Sequence, residues 1–366
     1  RDAHGYRPRS GLGERTWTLA RSTRSPSAIA STTSIPWTTR PKAVYWPSSD
    51  GVGASTMKNE LVALASARSA GEELRYGARH LKVRDVAGYD FAGIDIAFFS
   101  AGAKVSAEHA PRAAAAGAVV IDNTSEFRYQ DDVPLVVAEV NPEAMAQRPR
   151  GIIANPNCST MQMLVALAPI HRAVGITRIN VATYQSVSGA GKSGMDELWR
   201  QTLAMMNFQA PETKKFPVQI AFNLIPQIDE FQPNGYTREE MKLVWETRKI
   251  LGDDSIQVNP TAVRVPVFYG HSEAVHLETR EKIDVATVRR LLGEAPGVEV
   301  VDDPQAGGYP TPVTHAAGTD AVYVGRIRED ISHPRGLSLW IVADNIRKGA
   351  ALNAVQLAEL LVKNDL

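Results

Sequence analysis

The chain is poor in thiol. Cys158 is its only cysteine in 366 residues. A single thiol excludes intramolecular disulfides and any cysteine-built zinc or iron–sulfur centre. It also fits a reducing compartment, so the expected location is the cytoplasm. Net charge is missing as well: 40 Lys and Arg balance 40 Asp and Glu. Nothing therefore draws the whole chain to nucleic acid or to an anionic membrane surface, and neither is expected as a partner. No apolar run reaches the length of a membrane-spanning helix. What is present, 44% hydrophobic and 22% charged residues, is the composition of a soluble enzyme long enough for two ordinary domains.

The zero charge is a sum of unlike parts. Residues 1–56 hold eight Lys and Arg against three acidic residues (Asp2, Glu14 and Asp50), a net of +5 that the remainder offsets with −5. Seventeen of these 56 residues are Ser or Thr and only six are Leu, Ile or Val, so no strand or helix period runs through Arg21–Arg40. That pattern points to loop or disorder. The composition is also that of a transit peptide, but the amphipathic apolar face is missing.

From Leu61 onward strands and helices alternate. Leu61–Ala65, Ile94–Phe99, Ala118–Asp122, Leu135–Val140 and Gly151–Ala154 read as strands. Ala103–Ala116, ended by Gly117, and Asn141–Gln147 read as helices. This spacing predicts βαβ units and a parallel sheet. The second half has longer β-rich runs at Arg178–Val187, Ile256–Phe268, Ala274–Thr279, Ala321–Ile327 and Leu337–Ala343, as in a mixed sheet. Helices fit Ser193–Met206, Arg238–Ile250, Val285–Leu292 and Gly349–Lys363, with Thr237 and Glu240 as a capping box.

Cys158 lies in Asn155-Pro156-Asn157-Cys158-Ser159-Thr160, a turn between a strand and an apolar helix. Unpaired amides at a helix N-terminus favour a thiolate and can hold the oxyanion of a tetrahedral adduct, although a buried inert cysteine fits the same placement. Among eight histidines, His271 follows the strand-like Val265–Tyr269 and Gly270, where a rigid frame would present an imidazole for proton transfer.

Four segments in fixed order extend this reading: Asn155–Thr160, Gln185–Lys192, Arg264–Val267 with Gly270-His271-Ser272, and Val342–Ala351. Together they closely resemble aspartate-semialdehyde dehydrogenase of the bacterial type, from about Leu61 to Leu366. The resemblance implies reduction of L-aspartyl 4-phosphate by NADPH to L-aspartate 4-semialdehyde and phosphate, a step toward lysine, methionine and threonine. It implies Cys158 as nucleophile, His271 as acid–base residue and Gln185 as the residue orienting substrate. Arg264 and Glu239 match substrate-binding positions, where the planar fork of Arg264 suits a carboxylate. Arg128 and Lys242 match phosphate-binding positions. Ser188, Gly189 and Asn345 match cofactor contacts. Arg68-Ser69, after the first strand, replaces a ribose-binding acid and favours the 2′-phosphate of NADP. A homodimer or homotetramer without a metal is implied too.

The expected layout has an atypical segment at 1–56, a Rossmann-like NADP domain at 57–156, an α+β catalytic and dimerisation domain with a mixed sheet at 157–344, and a C-terminal helix at 345–366 that returns to the NADP domain. The family's opening strand, Gly-x-x-Gly-x-x-Gly turn and helix cannot be found. Gly11-Leu12-Gly13 and Gly51-Val52-Gly53 follow no apolar strand, and no room for a helix remains before Leu61. The expectation is a missing or corrupted first βα unit, as from a frame-shifted segment, and poor NADP binding. N-acetyl-glutamyl-phosphate reductase shares the chemistry, but its cysteine is typically preceded by Gly and followed by Tyr-Pro, unlike Asn157-Cys158-Ser159-Thr160. A catalytically silent oligomerisation partner is the remaining alternative, and the intact Cys158, Gln185, Arg264 and His271 argue against it.

Overall fold

The computed structural model describes residues 43–47, 61–76 and 79–364. Two sheets carry the fold. The first begins with β1 (Ala43–Pro47), β2 (Val62–Ala65), β3 (Glu73–Tyr76), β4 (Arg79–Asp85) and β5 (Ile94–Phe99). After helix α1 (Ala103–Ala115) it is completed by β6 (Val119–Asp122) and β7 (Ile152–Ala154). Its order is β3-β4-β2-β1-β5-β6-β7. β2 is parallel to β4, and β5, β6 and β7 are parallel to one another, as expected of βαβ units.

Two features depart from the sequence reading. A strand does precede Gly51: β1 fills the slot between β2 and β5, but it runs antiparallel to both. Ala43 pairs with Leu64 and Phe99 near the carboxyl ends of β2 and β5, so the chain leaves at Pro47 on the opposite edge. The remaining expectations for residues 1–56 lie outside the described residues. Leu135–Val140 is not a strand, and only Leu135 bridges to Ala154. Side-chain amides satisfy its backbone instead. Asn141 accepts from the Val137 N–H and donates to the Leu135 carbonyl, while Asn353 accepts from the Ala138 N–H and donates to the Val136 carbonyl. The hairpin of β3 and β4 was not read, because its charged, half-exposed residues carry little apolar alternation.

The second half opens with α2 (Cys158–Val174), followed by β8 (Ile176–Gln185), α3 (Lys192–Met206), α4 (Arg238–Leu251), β9 (Gln257–Arg264) and β10 (His271–Thr279). Then come α5 (Val285–Glu294), β11 (Val298–Val300), β12 (Val322–Glu329), β13 (Gly336–Ala343) and α6 (Leu352–Asn364). The sheet order is β11-β12-β13-β10-β8-β9, and its pairings are mixed, as expected. α2 is apolar on nearly every face and buried from Ser159 to Ala168, so it is the spine of the main core. The Thr237–Glu240 capping box forms at the start of α4. α6 packs Leu357 and Leu361 against Ile96, Ile121 and Ile153 of the first sheet. Full burial of each such leucine contributes about 1.5–3 kcal/mol.

Candidate active site

Strand register gathers the site. Gln185 ends β8 opposite Arg264, which ends the parallel β9. His271 begins the antiparallel β10 beside Ala343, the last residue of β13, and Asn345 follows two positions later. Gln185, Arg264, His271 and Asn345 therefore meet at one edge of the second sheet. Cys158 reaches the same place as the first residue of α2, just after β7.

A cleft of about 650 Å³ is lined by Cys158, Gln185, Ser188, Gly189, Glu239, Lys242, Arg264, Asn345 and Arg128. Nine of the twelve residues singled out from sequence thus share one cavity. His271 is not on its wall; it is fully buried behind Gly189, where a Cβ would lie 3.3 Å from His271 Nε2 and 2.9 Å from Arg264 Nη1. Arg68 and Ser69 sit in a short turn after β2, away from the cleft lining, with Ser69 buried and Arg68 exposed.

The nucleophile's turn is tightly held. Asn157 caps α2, its Oδ1 accepting from the N–H groups of Ser159 and Thr160 at 3.0 and 3.3 Å. The helix terminus does not make Cys158 a resting thiolate. Burial and then the Glu239 carboxylate push its thiol up to about 12, against the pull of Arg264, Lys242 and Arg128. Gly349 leaves no room for a side chain, since a Cβ there would lie 2.7 Å from Cys158 Cβ.

His271 is held neutral, because burial and the nearby Arg264 push it down to about 3. The Ser186 N–H donates to Nδ1 at 3.1 Å, and the Ser186 hydroxyl lies at the same distance from it. That hydroxyl donates to Asn345 Oδ1 at 3.0 Å, and because Nδ1 accepts from the Ser186 N–H the neutral ring carries its proton on Nε2. Nε2 has no partner among the described residues.

Charges alternate across the cleft. Lys242 Nζ donates to Glu239 Oε2 at 2.8 Å and to Asp229 Oδ2 at 2.9 Å. Burial works against the Glu239 carboxylate, but Lys242, helped by Asn157 and Arg264, draws it down to about 2. Gln185 Nε2 donates to Ser159 Oγ at 2.9 Å and to Glu239 Oε1 at 3.2 Å. Arg264 Nη1 donates to the Ser186 carbonyl at 2.7 Å. Arg128 donates from Nη1 to Glu246 Oε1 at 3.1 Å and from Nη2 to the Asn123 carbonyl at 3.0 Å, and its Nε has no partner among the described residues.

Sequence reasoning missed Glu246, Asn157, Ser186 and Gly349. Only Glu246 left a signal, as the third member of an i, i+3, i+7 stripe with Glu239 and Lys242 on α4. Among the described residues no cluster of His, Cys, Asp or Glu could hold a metal, and no helix is long and apolar enough to cross a membrane.

The cofactor's two ends meet different surroundings. Around Cys158 the residues fit a nicotinamide ring, because Gly189 and Gly349 keep side chains off the wall and Ser188 and Asn345 supply polar contacts. At the carboxyl edge of the first sheet, Gly102 (φ 101°) leads into α1 and aims that helix N-terminus at the edge, a place for an anion. β1 contributes no carboxyl end there.

The matches to known proteins follow the same division. Residues 55–148 match the family model "Semialdehyde dehydrogenase, NAD binding domain", and residues 167–348 match "Semialdehyde dehydrogenase, dimerisation domain". The aspartate-semialdehyde dehydrogenase of Shewanella violacea is 60% identical over 306 residues, covering 83% of this chain and 90% of that protein. A crystal structure of aspartate semialdehyde dehydrogenase II from Vibrio cholerae, complexed with ASA, superposes with a TM-score of 0.81 at 59% identity, over 83% of this chain and 90% of that one. The Candida albicans enzyme, solved with NADP, superposes at 0.65 with 27% identity, over 83% of this chain and 91% of that one. With that identity spanning both sheets and the cleft between them, the chain belongs to the aspartate-semialdehyde dehydrogenase family.

Proposed function

We infer that this protein reduces L-aspartyl 4-phosphate with NADPH to L-aspartate 4-semialdehyde and phosphate, through a thioester on Cys158. One observation carries the reading: a single thiol at a helix start shares its cleft with two separate cationic sites. Arg264 beside Glu239 suits the carboxylate and amino group of an amino acid, while Arg128 and Lys242 suit a phosphate.

Cys158 Sγ attacks the acyl carbon. The carbon–oxygen bond to phosphate breaks, phosphate leaves with the electron pair, and the thiol proton passes to the His271 imidazole, whose Nε2 becomes free when the ring proton moves to Nδ1 and donates to the Ser186 hydroxyl. A base is needed because the resting thiol is neutral, and His271, behind Gly189, is the imidazole beside the cleft wall. Gln185 and the Cys158 N–H at the start of α2 hold the carbonyl oxygen as charge develops there. When bound, NADPH supplies the hydride that reduces the thioester carbon, with Ser188, Gly189 and Asn345 placed to hold its nicotinamide and Arg68 and Ser69 its 2′-phosphate. The thiohemiacetal on Cys158 then collapses, the carbon–sulfur bond breaks, and the aldehyde leaves as sulfur recovers a proton.

The assembly we favour is a homodimer working in the cytoplasm. α3 exposes Trp199, Leu203 and Met206 at i, i+4 and i+7, an apolar stripe suited to a second copy. Parallel assays of NADPH oxidation with L-aspartyl phosphate and with N-acetyl-glutamyl phosphate test the activity. Turnover of the first alone is expected, and preference for the second overturns the reading.

A further inference from the structure

Glu246 is fully buried, on the same face of α4 as Glu239 and Lys242, which line the cleft. It lines no part of the cleft wall, yet it joins two parts of the site. Its Oε1 accepts from Arg128 Nη1 and from the Tyr129 hydroxyl, both at 3.1 Å. Its Oε2 accepts from the Asn157 N–H at 2.6 Å, one residue before the nucleophile. Burial and the same carboxylate raise the pKa of the Tyr129 phenol, so that group stays a donor. One anion therefore anchors the turn that presents Cys158 and offsets the guanidinium at the phosphate end. Arg128 still lines the cleft with an unpaired buried Nε among the described residues, so it can bind an anion, but with its charge shared.

We propose that Glu246 is a positioning residue that fixes the phosphate subsite beside the Cys158 turn and, through its ion pair with Arg128, keeps phosphate affinity low enough for release. The proposal rests on the reading of Arg128 as the phosphate ligand. A leaving phosphate must depart before the hydride step can empty the site, and an uncompensated buried arginine would hold it.

The test titrates inorganic phosphate into the full chain by calorimetry, with protection of Cys158 from iodoacetamide as a second readout. Glu246→Gln keeps an oxygen for the Asn157 N–H and removes the charge. It should tighten phosphate about tenfold, lower the turnover of acyl phosphate reduction, and leave the KM for aspartate semialdehyde unchanged. Tyr129→Phe removes a donor from the same oxygen without changing charge, strengthens the hold on Arg128, and should weaken phosphate about two- to threefold. Arg128→Leu should abolish phosphate binding. If Arg128→Leu binds phosphate as the parent does, the phosphate reading itself fails. If Arg128→Leu loses phosphate while Glu246→Gln and Tyr129→Phe both match the parent, the proposal alone is overturned. Should Glu246→Gln not fold, the opposite shift in Tyr129→Phe decides it.

Discussion

The two sheets meet the cleft in different ways. In the second, β8, β9, β10 and β13 deliver Gln185, Arg264, His271 and Asn345 to one edge by register alone. A side chain displaced there would have to break a ladder. In the first, the strand order reverses between β1 and β5, where a dinucleotide is expected outside the carboxyl ends. β1 holds that position but runs the wrong way, so whatever follows Pro47 starts from the opposite edge. A covalent site can thus survive on short motifs and sheet register, while a dinucleotide site depends on the direction of one strand.

The largest expected effect lies on the intact side. Cys158→Ser should lower turnover by on the order of 10⁴–10⁶-fold, because a neutral hydroxyl replaces the group on which the covalent step depends. Single-turnover rates with acyl phosphate measure it. A loss under tenfold would remove Cys158 from the mechanism and erase the contrast between the two halves.

The next effect lies on the disturbed side. Equilibrium titration should find weak NADPH binding. Exchanging residues 1–56 for a relative's parallel strand, Gly-x-x-Gly-x-x-Gly turn and helix should tighten it about 100-fold or more, as several charge-assisted hydrogen bonds to the pyrophosphate are regained. Low-micromolar affinity in the present chain would show that reversal of β1 costs the cofactor nothing.

How far the sequence could be read follows the same divide. Cys158, Gln185, Arg264 and His271 sit in short motifs whose geometry is local, and most strands of the second half were placed to within a few residues. Glu246 and Ser186 act through partners as distant as Arg128 and Asn345, so no local pattern marks them. The segment Leu135–Val140 has a strand's apolar content, but Asn141 and Asn353 compete successfully for its backbone groups. The direction of β1 was also unreadable, since Ala43–Pro47 pairs with its neighbours by contacts that periodicity does not encode.

A third test uses acidity. His271 is fully buried and stays neutral down to about 3, whereas the unfolded ring takes a proton near 6.5. As pH falls below 6.5 the unfolded state binds a proton that the folded state refuses, so this ring's contribution to stability drops by about 1.4 kcal/mol per pH unit until the folded ring titrates. Glu239 adds to the loss only lower down, as pH falls from its ordinary 4.5 toward about 2. Urea unfolding of parent and His271→Asn between those two onsets should show the slope reduced in the variant. Equal slopes would mean that the imidazole is not buried in a neutral state.

The smallest catalytic effect is expected at Glu273, two residues from His271 on the same inward face of β10. Its carboxyl oxygens have no hydrogen-bond partner among the described residues, and the carbonyl oxygen of the Gln162 side chain is equally unpaired. Burial raises the group well above the usual glutamate range. Gln162 lies one turn after Cys158 and donates to the His271 carbonyl at 3.4 Å, so this amide, beside Glu273, ties the nucleophile's helix to the imidazole's strand. An amide of the same shape should do as well: Glu273→Gln should keep turnover within about threefold of the parent. The sign for stability is also set. Above its ordinary range the unfolded glutamate ionises while the folded one does not, so the parent loses stability as pH rises and the variant does not. If Glu273→Gln instead lost activity as heavily as a change at His271, the carboxyl would be a working proton donor, and the rigid edge of the second sheet would hold more chemistry than its register accounts for.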